Sequence, residues 1–295
     1  MKPGMENGED EREVLWHPDP NQTTRIDSFR QVINGKYSTS LSSYQDLYKW
    51  SVEEYETFWS EFWSFSGLIY SKNYDHVIER EKRFDEVPKW FTGSLLNYTE
   101  NILERGCDSD IAVIACDETN VRHSVTFQEL KVSVKQYASA LRAMGVRPGD
   151  RVVGLLPNTM ETLFAYLSCI SIGAIWSCTS PEFGSTAIIQ RFRQISPVVL
   201  FAVSAVDFNG KNFDQMTKLE EVIDQLPELK KIVIIDSGDG AVRGRIETFC
   251  ANHSIAMELP SFLTTAEPSC DSFQYAQVQS IGSSAASYMQ LMLSM

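Results

Sequence analysis

The sequence predicts an α/β protein: a helical, aromatic-rich N-terminal region packed on an incomplete, mainly parallel, doubly wound sheet. Three observations predict it. Tyr55, Phe58, Trp59, Phe62 and Trp63 recur at i, i+3, i+4, i+7 and i+8, which is one face of a helix. From about residue 110, short β-branched apolar runs alternate with segments of helical period, the pattern of βαβ crossovers. Hydrophobic residues make up 43 % and charged residues 22 %, the composition of an ordinary globular chain with a core to bury.

The elements follow in order. Residues 1–40 are polar and acidic and read as a flexible lead-in with one short helix, Arg25 to Val32. Ser51 and Glu54 have capping-box spacing and open the aromatic helix. Its aromatic face suits either a stacking platform or burial against a larger domain, and its size favours burial. IAVIAC (Ile111 to Cys116) is the first strand. Thr126 and Glu129 open a helix with the stripe Leu130, Val134, Tyr137, Leu141 and Met144, closed by Gly145. Arg147-Pro148-Gly149-Asp150 is a turn, and Arg151 to Leu156 the second strand.

Asn158 and Glu161 open the next helix. From Thr162 to Pro181 there are 20 residues without a charge, a bilayer's worth. Gly173 divides them, so they read as a buried helix ending near Ser171, a turn, and a third strand, Ala174 to Cys178. Ser185 begins a helix with Ile188, Ile189, Phe192 and Ile195 inward. Val198 to Val203 is the fourth strand, Thr217 and Glu220 cap another helix, and Lys231 to Asp236 is the fifth strand. Residues 237–270 read as a long surface excursion with one short element. From Ser272 to Met295 no charge occurs.

At 295 residues the chain suggests roughly two domains. Its net charge of −13 argues against nucleic acid, which is bound mainly through Lys and Arg. Six cysteines without a C-x-x-C pair argue for reduced thiols in the cytosol. The first fifteen residues resemble neither a secretory signal nor a mitochondrial presequence.

The residues alone show no catalytic constellation. GDGAVRG (Gly238 to Gly244) is not a dinucleotide fingerprint and reads as a mobile surface turn. There is no phosphate loop of the G-x-x-x-x-G-K type and no G-x-S-x-G elbow. His17, His76, His123 and His253 are far apart and lack the spacing of a zinc site, so no metal is expected.

Several strings carry a resemblance: DLYKWSVEEYETFWSEFWSFSG (Asp46 to Gly67), VPKWFTGSLLNYTENIL (Val87 to Leu103), GDRVVGLLPN (Gly149 to Asn158), SIGAIWSCTSPEFG (Ser171 to Gly184) and FNGK (Phe208 to Lys211). Over about residues 12 to 279 the chain resembles the N-terminal part of the acetoacetyl-CoA synthetases, which are AMP-forming acyl-CoA synthetases. WSCTSPEFG favours the acetoacetyl branch over the acetyl branch, which typically carries Gly-Gly-Phe-Ser there.

The resemblance implies part of an adenylate-forming N-domain. It divides the chain into the lead-in, an acyl-CoA synthetase N-terminal region (41–104), a partial AMP-binding domain (105–279) and a divergent tail (280–295). It implies ATP, Mg²⁺ and CoA as the full family's reagents, with acetoacetate ligated to CoA through an acyl-adenylate in cytosolic lipid metabolism. It also implies that Phe183, Gly184 and Lys211 face CoA. The residues alone equally allow a βα turn and a solvated Lys there. After Ala276-Gln277-Val278 the family's phosphate loop does not follow, and no catalytic Lys is identified. The expectation is therefore a truncated chain, inactive alone. A CoA-binding or interaction module that associates with the full-length enzyme is the alternative. A dinucleotide-dependent oxidoreductase is a third reading, carried only by the βαβ alternation.

Overall fold

Capping chemistry sets where the first helices begin. Thr24 and Asp27 form a capping box that opens α1 (Arg25–Tyr37), which runs five residues past the predicted helix to a left-handed Ser38. Ser43 and Asp46 form the box that opens α2 (Tyr44–Glu53). Ser51 was expected to open a helix; instead it lies inside α2 and its hydroxyl donates to the Tyr48 carbonyl at 2.7 Å. Four donors, the amides and hydroxyls of Ser42 and Ser43, converge on one oxygen of Asp46, so the upstream box wins the register. α3 (Tyr55–Phe65) then follows Glu54 with no side-chain cap.

The computed structural model describes residues 19, 21–116, 118, 121–236, 240–266, 273 and 276–277. They fall into two compact units, Met1–Leu68 and Ile69–Met295. In the first, the predicted aromatic face is covered in part by α1. Phe29 meets Phe58, Phe62 and Phe65 with ring centroids 5.7, 5.7 and 5.0 Å apart. Aromatic pairs at these spacings add to their area burial, so helical packing stabilises this unit.

The second unit opens with β1 (His76–Ile78) paired antiparallel to β2 (Trp90–Thr92), then β3 (Leu95–Leu96) and α4 (Tyr98–Leu103). β4 (Ile111–Cys116) pairs antiparallel with β5 (Arg122–Thr126), a strand the periodicity did not show. The run IAVIAC is therefore half of a separate hairpin and not the first strand of the parallel sheet. Ile111 and Ile114 are exposed, whereas Ala112, Val113 and Val125 pack against Leu103, Leu130, Val134 and Leu167. A run this short reads the same whether one face or both are covered.

α5 (Phe127–Ala143) starts at the predicted Thr126–Glu129 box and buries Leu130, Val134, Tyr137 and Leu141. Then come β6 (Arg151–Leu155), α6 (Met160–Ser171), β7 (Ile175–Thr179), α7 (Ser185–Arg193), β8 (Val199–Val203), β9 (Ala205–Phe208), β10 (Lys211–Asp214), α8 (Met216–Ile223), β11 (Lys231–Ile235), α9 (Gly240–Asn252), β12 (Ala256–Glu258), α10 (Leu259–Thr264) and β13 (Ala276–Gln277), which pairs antiparallel with β3. Two expected caps do not form. α6 begins after Thr159 rather than Asn158, with no side-chain cap. α8 begins after Gln215, and Thr217 instead accepts from Arg245.

The five-stranded sheet has the order β12-β11-β8-β6-β7, parallel throughout. Its fifth strand is β12, inside the stretch read as a surface excursion. α9 and α10 lie there too and bury Ile246, Phe249 and Phe262. Gly240 to Gly244 begin α9 rather than a turn, while 237–239 lie outside the described residues, as do 280–295.

Alternate strand residues face opposite layers. Val152, Val199, Phe201, Val203, Val233 and Ile235 meet α5, α6 and α10. Val153, Leu155, Leu200, Ala202, Ile232 and Ile234 meet α7, α8 and α9. Both faces are covered, which is why the central strands read as unbroken apolar runs. No described helix is long and apolar enough to cross a membrane.

Candidate functional site

In an open parallel sheet, ligands bind outside the carboxyl ends of the strands, where neighbouring connections diverge. Numbered by sequence within the sheet, the strand order is 2-1-3-4-5. The chain therefore diverges at β6 and β8. The β7–α7 loop, Ser180 to Gly184, and the β9–β10 hairpin both lie at this carboxyl end, the first after β7 and the second soon after β8.

The loop holds two of the three predicted residues. It turns through a hydrogen bond from the Phe183 amide to the Ser180 carbonyl at 3.3 Å. Gly184 is the N-cap of α7, with extended backbone, and a Cβ there would meet nothing within 4 Å. Gly184 is therefore not required by packing. Phe183 is 40 % exposed.

Two cations that the sequence reading did not single out hold this loop. The Arg191 guanidinium carbon lies 4.5 Å from the Phe183 ring centroid, and its NH1 donates to Thr179 Oγ1 at 3.3 Å. Lys218 Nζ, reaching from α8, donates to the Pro181 carbonyl at 2.5 Å. Helical side chains lean toward the helix N-terminus, so Arg191, late in α7, can reach back to the loop that precedes it. An Arg eight residues after an exposed aromatic, across a helix start, was the available signal.

Lys211, the third predicted residue, is exposed on β10 opposite Phe208. The hairpin turns on Asn209 and Gly210 at φ +51° and +68°. Both central residues of a two-residue Asn-Gly turn take positive φ, which Gly adopts at no steric cost. The Asn209 amide also donates to Glu118 Oε2 at 2.8 Å, tying this hairpin to the β4–β5 connection. The Lys211 side chain has no hydrogen-bond or ion-pair partner among the described residues. The structure thus joins Phe183 to Gly184 directly and puts Lys211 on the same end of the sheet, in a separate element.

Two buried reactive groups, Cys169 and Tyr137, are unsuited to chemistry here. Burial pushes the Cys169 thiol and the Tyr137 phenol well above their ordinary ranges, keeping both neutral. Among the described residues no group of three His, Cys, Asp or Glu side chains is placed to hold a metal ion.

Comparisons with known proteins bear on the family and the fold. A family model described as "AMP-binding enzyme" matches residues 103–271, and one described as "Acetyl-coenzyme A synthetase N-terminus" matches residues 44–102. An acetoacetyl-CoA synthetase of Danio rerio is 43 % identical over 258 residues, covering 87 % of this chain and 38 % of that protein. That of Macaca fascicularis is 46 % identical over 226 residues, covering 76 % and 34 %. A malonamoyl-CoA synthetase of Penicillium aethiopicum is 37 % identical over 228 residues, covering 76 % and 32 %. The solved acetoacetyl-CoA synthetase from Streptomyces lividans superposes with a TM-score of 0.78 at 30 % identity, covering 90 % of this chain and 40 % of that one. The chain spans about a third of the length of the curated relatives it matches. With one family model matched over more than half of its residues, and its similarity confined to the N-terminal part of acetoacetyl-CoA synthetases, the chain belongs to the AMP-binding enzyme family.

Proposed function

We infer that these residues are the N-terminal part of a ligase that joins acetoacetate to CoA, and that their own contribution is to receive CoA at the β7–α7 loop. In that reaction the acetoacetate carboxylate displaces pyrophosphate from ATP, and the CoA thiol then displaces AMP from the acyl carbon. The observation that carries the reading is the Thr179–Gly184 loop. With the preceding strand it resembles the acetoacetyl branch in the string WSCTSPEFG, and it stands at the carboxyl end of the parallel sheet with Phe183 exposed.

The described residues do not fit the triphosphate or its Mg²⁺. The connections after β6 (Leu156-Pro157-Asn158) and β8 (Ser204) carry no Lys, Arg or Gly-rich cradle. The described residues gather no metal-binding cluster. No adenylation step is therefore assigned to the described residues. The described cysteines are free, which suits the cytosol as the setting.

Calorimetric titration of the 295-residue chain with CoA tests the reading. Binding is expected, and Lys211→Glu is expected to weaken it about tenfold by placing a like charge near phosphate. Heat indistinguishable from buffer for the wild-type chain removes it. Acetoacetate-dependent ATP–pyrophosphate exchange by the chain alone would show that adenylation had been wrongly withheld.

A second reading, an interaction module for the full-length enzyme, is favoured by one observation. β7 is an edge strand, with Ile175 and Cys178 exposed along it. Co-purification with tagged full-length enzyme tests that reading, and absence of a complex at micromolar concentration removes it.

A further inference from the structure

We propose that Arg191 is an anion-binding residue of the β7–α7 loop and that the anion it receives is a phosphate of CoA. The proposal rests on the reading of this loop as CoA-facing and extends it to a residue that reading does not include.

The chain carries 39 acidic and 26 basic residues. Several of its cations meet carboxylates: Lys36 meets Glu61, Lys131 meets Glu104 and Asp108, and Arg245 meets Asp214. Arg191 and Lys218 do not. Among the described residues neither has a carboxylate within 4.0 Å, although both touch the same short loop. Glu182, the loop's own carboxylate, is exposed and pairs with neither.

Donor accounting points the same way. A guanidinium has five N–H donors in a planar fork. Arg191 spends one, on Thr179 Oγ1. The others are left for an acceptor, and the fork matches phosphate in two-pronged geometry. Exposed Arg side chains ordinarily keep their rotamer freedom. This one is held by the Phe183 ring and the Thr179 hydroxyl, so much of the ordering cost of binding is met in advance. Phe183 is 40 % exposed, which leaves ring surface for the apolar or aromatic part of the same ligand.

The test follows the amide resonances of Phe183 and Gly184 in the 295-residue chain during titration with CoA and, separately, inorganic pyrophosphate. Wild type is expected to bind both, CoA more tightly. Arg191→Gln is expected to weaken both at least tenfold, and Arg191→Lys to recover to within about fivefold of wild type. Dispersion of the amide spectrum reports that each variant is folded, and Arg191→Met replaces Arg191→Gln if the latter unfolds. Pyrophosphate binding unchanged in Arg191→Gln overturns the proposal, even if CoA binding falls, because the side chain then acts only by holding Phe183. Arg191-dependent pyrophosphate binding with CoA no tighter than pyrophosphate supports the anion site and removes the CoA reading. No response to either probe in wild type overturns both.

Discussion

The side-chain amide of Asn97 donates to the carbonyl of Ser171 at 3.1 Å and also to that of Ile170 at 3.2 Å. One residue thereby serves two helices. Its Oδ1 caps the start of α4 by accepting from the Glu100 amide, while its NH₂ satisfies carbonyls at the end of α6. Two residues on, Thr99 Oγ1 donates to the Leu167 carbonyl at 2.6 Å. Helix ends leave such groups without intrahelical partners, and burying them unpaired is costly. Asn97→Ala is expected to lower unfolding free energy by about 2 kcal/mol. Urea denaturation followed by circular dichroism checks this; a change below a few tenths would mean water replaces the amide.

Gly154 in β6 is a packing requirement. A Cβ there would lie 2.8 Å from Trp176 Cζ2 and 3.2 Å from Leu156 Cδ1. Trp176 packs against Tyr166 and Phe201, so it cannot move without disturbing the layer between β6 and α6. Gly154→Ala is expected to destabilise by about 1–3 kcal/mol. Tryptophan emission should shift with it, and an unchanged spectrum with unchanged stability would contradict the contact.

These features show how the sequence could and could not be read. The strands of the parallel sheet with both faces covered, Arg151–Leu155, Val199–Val203 and Lys231–Ile235, were legible because every residue in them is apolar or at an end. IAVIAC carries the same signal but sits in a hairpin with one exposed face, and periodicity could not separate the two cases. β12 has only three residues, too few for any period, yet it forms one edge of the sheet among the described residues. Capping boxes were read correctly at Thr126 and wrongly at Ser51, where the competing box at Ser43 had more donors. At the candidate site, Phe183 and Gly184 were proposed from their string; the Arg191 contact had a local signal in its eight-residue spacing from Phe183, whereas Lys218 reaches Pro181 from a different helix, which no local pattern encodes.

The Asn209-Gly210 turn aims Lys211, and its geometry gives a separate test. Gly210→Ala puts a Cβ on a residue at φ +68° and is expected to cost about 1 kcal/mol of hairpin stability. CoA affinity should fall with it, because Lys211 would no longer be held at the end of a two-residue turn. Titration of Gly210→Ala beside Lys211→Glu checks this; full affinity in the first with loss in the second would show that the charge matters and its placement does not.

Asp46 gives the pH dependence of the first unit. Its carboxyl is held at about 2, below the ordinary 3.8, first by the Ser42 amide and then by the hydroxyls of Ser43 and Ser42 and the Ser43 amide. A carboxyl whose folded value is depressed stabilises the fold fully above its unfolded value, and the contribution is lost as pH falls through the folded one. The start of α2 is therefore expected to be firm at neutral pH and to loosen between about pH 4 and pH 2. A carboxyl-carbon NMR titration of Asp46 should give a midpoint near the lower end of that window. In Asp46→Asn one amide oxygen replaces a carboxylate that accepted four bonds, so amide exchange at Tyr44 to Leu47 should quicken and lose its pH dependence in this range. An Asp46 midpoint at the ordinary value, with exchange in the variant unchanged, would mean that the Ser43 box does not set the register of α2.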